Sequence, residues 1–278
     1  KNRVELLSAT LNAELGTATL TSITGYSSNE IDNDVDYTSV FLAPTLQVDH
    51  RPTKKLTQEI RVSAPLGDAF EWRAGVFYTH EDTPSRSALF TVDPVTTERV
   101  VTLFTNSAPT TYTEYAGFTD VTWKISPRFD LQLGGRYSEN EQTFSQFLTG
   151  PFAEAAFEVD PYIVSTVRSQ DDSFTYLITP RFRANENLML YARIASGYRP
   201  GGPNARTSAA VTIPPTYGPD TTLNYELGIK GRFFDGLLGI RFIAGSEILD
   251  RRIFRRINLR GLGQADHPED LLEVRGEP

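Results

Sequence analysis

Cysteine is absent from the 278 residues, so neither a disulfide framework nor a thiolate metal site exists in this chain. No run of about 18 apolar residues occurs, which excludes a transmembrane helix but not a transmembrane barrel, whose lipid-facing side chains alternate with polar ones. Lys and Arg are outnumbered 27 to 35 by Asp and Glu, and a net charge of -8 lacks the basic surface that nucleic-acid binding needs. Histidine is scarce. His50, His80 and His267 fall far apart in segments that read as loops or tail, without metal-site spacing, and are expected to be solvated. No GxSxG elbow is present, and GLGQAD (261–266) lacks the strand-to-helix setting of a nucleotide loop. Neither enzymatic activity nor a cofactor is therefore expected. The chain opens at Lys1-Asn2-Arg3-Val4 without an apolar leader, so it reads as mature, trimmed or partial.

What is present is a rhythm of paired segments, each about ten alternating residues long and joined by a tight connection. Short turns fall at Glu14-Leu15-Gly16, Leu66-Gly67-Asp68, Ser126-Pro127-Arg128, Asn185-Glu186-Asn187 and Phe234-Asp235-Gly236, each with the Gly, Pro, Asn or Asp that a reversal favours. Between them, stretches of about 20 to 30 residues around 29–55, 82–110, 144–172 and 199–221 read as long loops. Alternating short turns and long loops is the plan of an outer-membrane β-barrel. The count is about ten strands in five hairpins.

Within segments the alternation separates two faces, because successive strand side chains point to opposite sides. Residues 70–79 set Phe70, Trp72, Ala74, Val76 and Tyr78 against Glu71, Arg73, Gly75, Phe77 and Thr79. The split recurs at 129–138, 174–183 and 223–233, more loosely at 56–64, 112–125 and 188–198, and most weakly at 4–14 and 17–28. Alternation alone also suits a half-exposed soluble sheet. Aromatic residues near segment ends favour the membrane: Tyr26, Tyr78, Tyr115, Trp123, Tyr137, Tyr198 and Phe233 lie where the interfaces would fall.

LTQEIRVSAP (56–65), FEWRAGVFYTHED (70–82), YTEYAGFTDVTWKISPRFDLQLGGRYSENE (112–141), SGYRPGGPN (196–204) and LNYELGIKGRFFDG (223–236) resemble successive pieces of the barrel of TonB-dependent outer-membrane receptors. LGTATLTSITGY (15–26) with DNDVDYT (32–38) resembles that family's early barrel hairpin, and the resemblance covers residues 4 to about 240. It implies the bacterial outer membrane, its lipid as surroundings, and energy-coupled uptake of a scarce ligand such as a ferric siderophore, haem, cobalamin or an oligosaccharide. It also implies two partners outside this chain: a plug domain filling the barrel and the TonB complex that pulls on it. The family's barrel has about 22 strands, so about ten make an incomplete wall.

On the polar face Glu59, Arg61, Arg73, Asp120, Arg136, Arg181, Arg183, Arg193, Glu226, Lys230 and Arg232 are expected to line the inner wall, pairing with each other or docking the plug. In hydrocarbon such charges would cost about 2 to 4 kcal/mol each at mid-depth, so their placement sets the strand register. Arg136 and Arg193 are candidate ligand contacts, with Tyr198 and Arg199 in SGYRPGG (196–202), whose Pro200, Gly201 and Gly202 make a bend out of a strand. The acidic stretch Asp32, Asp34, Asp36 reads as a solvated loop that could attract cations.

The C-terminal part departs from the family. Residues 237–245 comply loosely with a barrel strand, and 246–278 form an atypical tail in which Ile248, Leu249, Ile253, Phe254 and Ile257 sit at near-helical spacing beside an arginine cluster. An amphipathic helix, or a reading frame shifted near residue 240, is the expectation there. The overall expectation is an all-β, antiparallel up-and-down transmembrane β-barrel, incomplete, over 1–245. The alternatives are a passive porin or adhesin barrel complete within the chain, and a soluble all-β ligand-binding protein.

Overall fold

β-branched and aromatic residues fill the alternating segments, and each finds its backbone partners in the next segment along the chain. The computed structural model describes residues 1–205, 208–209, 213–233 and 238–250, with backbone alone from 232 onward. Its ten-stranded antiparallel sheet consists of β1 (Asn2–Leu15), β2 (Ala18–Asp36), β3 (Thr45–Leu66), β4 (Phe70–Val92), β5 (Arg99–Lys124), β6 (Phe129–Thr149), β7 (Tyr162–Asn185), β8 (Leu188–Arg199), β11 (Asp220–Phe233) and β12 (Leu238–Asp250). Each strand pairs with its neighbours in sequence. A ribbon of β9 (Gly202–Pro203) and β10 (Thr216–Tyr217) lies in the connection from β8 to β11. Two short helices, α1 (Thr38–Phe41) and α2 (Pro151–Phe157), sit in connections at the same end. Among the described residues β1 pairs only with β2 and β12 only with β11, so the sheet stays open.

Four of the five tight turns stand where the sequence places them, and Gly16 and Gly67 take φ of 66° and 63°. The fifth, 234–236, lies outside the described residues, although the Phe233–Leu238 pair brackets it. The expected long loops are mostly strand. β2 and β3 stay in register out to Asp36 and Leu46, and the connections shrink to 37–44, 93–98, 150–161 and 200–219. These stretches mix Thr, Ser and charged residues with short apolar runs such as Ala88-Leu89-Phe90, so no clean two-sided alternation announces a strand, while backbone pairing extends the hairpins beyond any lipid. Asp32, Asp34, Asp36, His50 and His80 are thus strand residues rather than loop residues, and His267 lies outside the described part.

Register aligns the two faces across the sheet. Pairs such as Ile60–Val76, Trp72–Val121, Leu133–Ile178 and Leu190–Ile229 put the apolar positions on one side, and all the charges expected on the inner wall up to Lys230 on the other. In four consecutive strands the apolar face is bounded by aromatic residues eight positions apart: Phe70 and Tyr78, Tyr115 and Trp123, Phe129 and Tyr137, Phe174 and Phe182. Phe70 stacks on Trp123 at 5.8 Å and Tyr78 meets Tyr115 at 5.0 Å between ring centroids, so the ends form two lateral rows. Eight residues at about 3.4 Å each span about 27 Å, which strand tilt brings close to the apolar band of a membrane barrel.

Among the described residues that apolar face meets no second layer. Val76, Tyr115, Phe174 and Leu227 are 59 to 65% exposed. A soluble sandwich would bury them, gaining about 1.5–3 kcal/mol per large side chain. Among the described residues the buried apolar side chains are few, and their cluster lies at one end, where Leu148, Ala153 and Phe157 join Phe104 and Tyr162 as α2 folds onto β5 and β6. Gly150 allows that fold, with φ of 123° and Leu103 O only 2.7 Å from where a Cβ would stand.

β12 continues past residue 245: Ile248, Leu249 and Asp250 pair with Leu223, Thr222 and Thr221. The helix expected from Ile248 is therefore strand at its start, because β11 offers its backbone partners there and a lone helical turn has none. Residues 251–278, with the rest of the tail, lie outside the described part.

Candidate functional site

On the polar face, below the end that carries α2 and the 200–219 connection, β5, β6, β7 and β8 bring polar side chains together. Arg136 Nη2 donates to Glu114 Oε1 at 2.6 Å, and the Tyr112 hydroxyl donates to Glu114 Oε2 at 2.8 Å. The Arg136 guanidinium also lies 4.9 Å from the Phe77 ring centroid. Burial, and then the bond to Glu114, push the Tyr112 phenol above its ordinary pKa of 10, so it remains a donor. Asn140 Nδ2 donates to the Tyr198 hydroxyl at 2.9 Å and to Asp171 O at 3.2 Å. Its Oδ1 is buried without a hydrogen-bond partner among the described residues.

The strand exit closes over this group. Gly201 N–H donates to Asp171 Oδ2 at 3.0 Å and Gln142 Nε2 donates to Gly201 O at 2.7 Å. Ala209 N–H donates to Ala156 O at 2.9 Å, tying the 200–219 connection to the α2 segment. Gly201 and Gly202 are buried, and a Cβ on Gly201 would stand 2.4 Å from Tyr217 O. The Pro-Gly-Gly bend expected after β8 therefore packs inward on β6 and β7.

Tyr198, placed by the sequence reading at a membrane interface, instead reaches this polar group. β7 and β8 are paired only from the turn to Leu177–Ala195, which frees the end of β8 to lean toward Asn140. Phe233, another interfacial expectation and the last residue of β11, has no described side chain. Arg136 joins the same group, whereas Arg193 and Arg199 are exposed and make no ion pair among the described residues. Arg193 sits opposite Glu226 in register, and Arg199 closes the strand.

Most of the remaining wall residues make separate contacts. Arg61 Nη1 bonds Glu59 at 3.0 Å, and Gln132 Nε2 bonds Asp120 Oδ2 at 2.6 Å. The Tyr191 hydroxyl donates to Glu226, and Lys230 Nζ lies 4.9 Å from the Tyr191 ring centroid. Near the tight-turn end, Arg181 Nε and Arg183 Nη1 both donate to Asp130, the latter at 2.6 Å, and Asp130 is 2% exposed. Arg73 is exposed and makes no ion pair among the described residues. Sequence reasoning missed Glu114, Asn140 and Asp171, and placed Asp130 on the polar face without a role. Glu114 and Asn140 could have been found by carrying the period-two count of β5 and β6 along those strands.

An open wall with one apolar band and one charged face matches a known architecture. The profile of the "TonB dependent receptor-like, beta-barrel" family matches residues 1–244. The chain belongs to that TonB-dependent receptor family. Over 124 residues, 44% of this chain and 17% of the relative, it is 28% identical to the pesticin receptor of Yersinia enterocolitica, and 27% identical to that of Yersinia pestis. Its fold is similar to that of the ferric yersiniabactin uptake receptor FyuA from Yersinia pestis, with a TM-score of 0.70 at 18% identity over 89% of this chain and 35% of that one. The siderophore receptor PiuA from Acinetobacter baumannii gives 0.64 at 15% identity over 88% of this chain and 40% of that one. The matched stretch is thus about a sixth of the curated relatives' length. Ten strands of a TonB-dependent receptor barrel form an incomplete wall, so a porin complete within the chain is not what this sheet is.

Proposed function

We propose that this chain is wall of an outer-membrane receptor that binds a scarce nutrient from outside and releases it inward when a TonB-coupled plug moves. The observation that carries the reading is the group of Arg136, Glu114, Tyr112, Asn140 and Tyr198 on the polar face beneath two connections tied to each other. Asn140 Oδ1, buried with no partner among the described residues, is an acceptor awaiting a donor, and the Arg136 guanidinium, which spends one N–H on Glu114, offers further cationic donors in the same group. A ferric siderophore, with anionic chelating oxygens and polar arms, fits that mixed set, and the related pesticin, yersiniabactin and siderophore receptors support this ligand class. Tyr198 and Arg136 are its proposed contacts, with Arg193 and Arg199 further along the same strand. Glu59, Arg61, Arg73, Asp120, Arg181, Glu226 and Lys230 are the proposed docking surface of the plug, and membrane lipid covers the opposite face.

The test is uptake of radiolabelled ferric siderophores by cells whose sole receptor is the full-length protein, with and without TonB. Uptake that needs TonB, and that Arg136→Gln weakens by about 10- to 100-fold in ligand affinity, is expected from loss of a charged hydrogen bond. Uptake indifferent to TonB would make the wall a passive pore and overturn the reading.

A further inference from the structure

Beyond the described site, β2 and β3 carry a second cluster on the opposite face, that of the apolar band. Glu30 and Asp32 stand two residues apart in β2, and His50 pairs with Asp32 across the hairpin. His50 Nδ1 lies 2.7 Å from Asp32 Oδ1 and 4.0 Å from Glu30 Oε1, and one ligand atom from each residue falls within 4.8 Å of the others. We infer that Glu30, Asp32 and His50 form a binding site for a first-row divalent cation of the Zn²⁺ class.

The geometry suits that ion. Zn²⁺ bonds imidazole nitrogen and carboxylate oxygen at about 2.0–2.2 Å, so tetrahedral ligands stand about 3.3 Å apart. Separations of 2.7 and 4.0 Å bracket that value, and rotation of exposed side chains closes the difference. One imidazole among the donors selects Zn²⁺, Cu²⁺ or Ni²⁺ over Ca²⁺ and Mg²⁺, which prefer oxygen alone. Asp34 follows along the same side, and the cations around the cluster are Arg86 on β4, opposite His50, and the Lys1 ammonium groups, which act on Asp32. An open cavity of about 410 Å³ beside it, lined by Asp32, Asp34, His50 and Arg86, leaves room for water as fourth ligand.

Position separates this site from transport. Asp32 lies six residues, about 20 Å, beyond Tyr26 along β2, so it stands outside the apolar band and on the side away from the inner wall. A bound cation there staples β2 to β3.

Full-length receptor in detergent, with its affinity tag removed and its metals stripped, is dialysed against Zn²⁺ at about 10 μM and the retained metal counted. One Zn²⁺ per chain is expected. His50→Ala and Asp32→Asn should each weaken retention at least about tenfold, while His80→Ala, a strand histidine bonded to Thr113, should not. Heat-dependent mobility of each variant shows that its barrel is intact. Equal retention by wild type and His50→Ala, absence of Zn²⁺ binding, or Ca²⁺ retained in its place would each overturn the inference.

Discussion

Replacing Leu133 by arginine puts a guanidinium at the middle of the apolar band, four residues from Phe129 at one edge and four from Tyr137 at the other. Leu133 is 45% exposed in the bare protein and has Val121 and Ile178 beside it, with no acidic group on that face among its cross-strand neighbours. Four residues are about 14 Å of strand, too far for the side chain to reach either interface without thinning the lipid. The cost at that depth is about 2–4 kcal/mol, or about 30- to 700-fold in the folding equilibrium. Gln132→Arg is the control. Gln132 points to the polar face and bonds Asp120 at 2.6 Å, so an arginine there gains an ion pair in a hydrated setting and should change stability by no more than about 0.5 kcal/mol. Denaturant titration of the full-length receptor refolded in phospholipid vesicles measures both. Equal losses for the two variants would refute the assignment of faces, and tolerance of Leu133→Arg would refute the membrane-spanning wall.

Asp130→Ala leaves Arg181 and Arg183 without their shared carboxylate. Breaking a buried pair costs about 3–5 kcal/mol, but the two guanidiniums are 26% and 47% exposed, so about 2 kcal/mol is expected as a lower denaturation midpoint. Asp93, in the 93–98 connection, accepts from the backbone N–H groups of Thr96 and Val95 at 2.8 Å, which hold its carboxyl below the ordinary 3.8. Its contribution to the turn is therefore present above the unfolded value and lost as pH falls through the lowered folded one. Carboxyl ¹³C titration should show a midpoint under 3.8, and one at or above that value would sink the assignment.

Period-two alternation made the strands, the tight turns and the two faces readable, because each depends on residues close in sequence. Arg73, Asp120, Arg136, Arg181 and Glu226 all stand on the face their spacing dictates. Strand extent was less legible. Beyond the lipid the two-sided alternation breaks down, and the pairing of Asp36 with Leu46 follows no apolar stripe in the sequence.

By itself, then, the sequence determined that one side of an antiparallel sheet is greasy and the other charged, since a strand offers only two directions to its side chains. Which side chains meet was decided by tertiary structure. Asn140 and Tyr198 are 58 residues apart, Asp32 and His50 are 18, and Arg183 and Asp130 are 53. Those encounters follow from strand register and from how β8 leans at its end, which are collective properties of the whole hairpin array rather than of any segment within it.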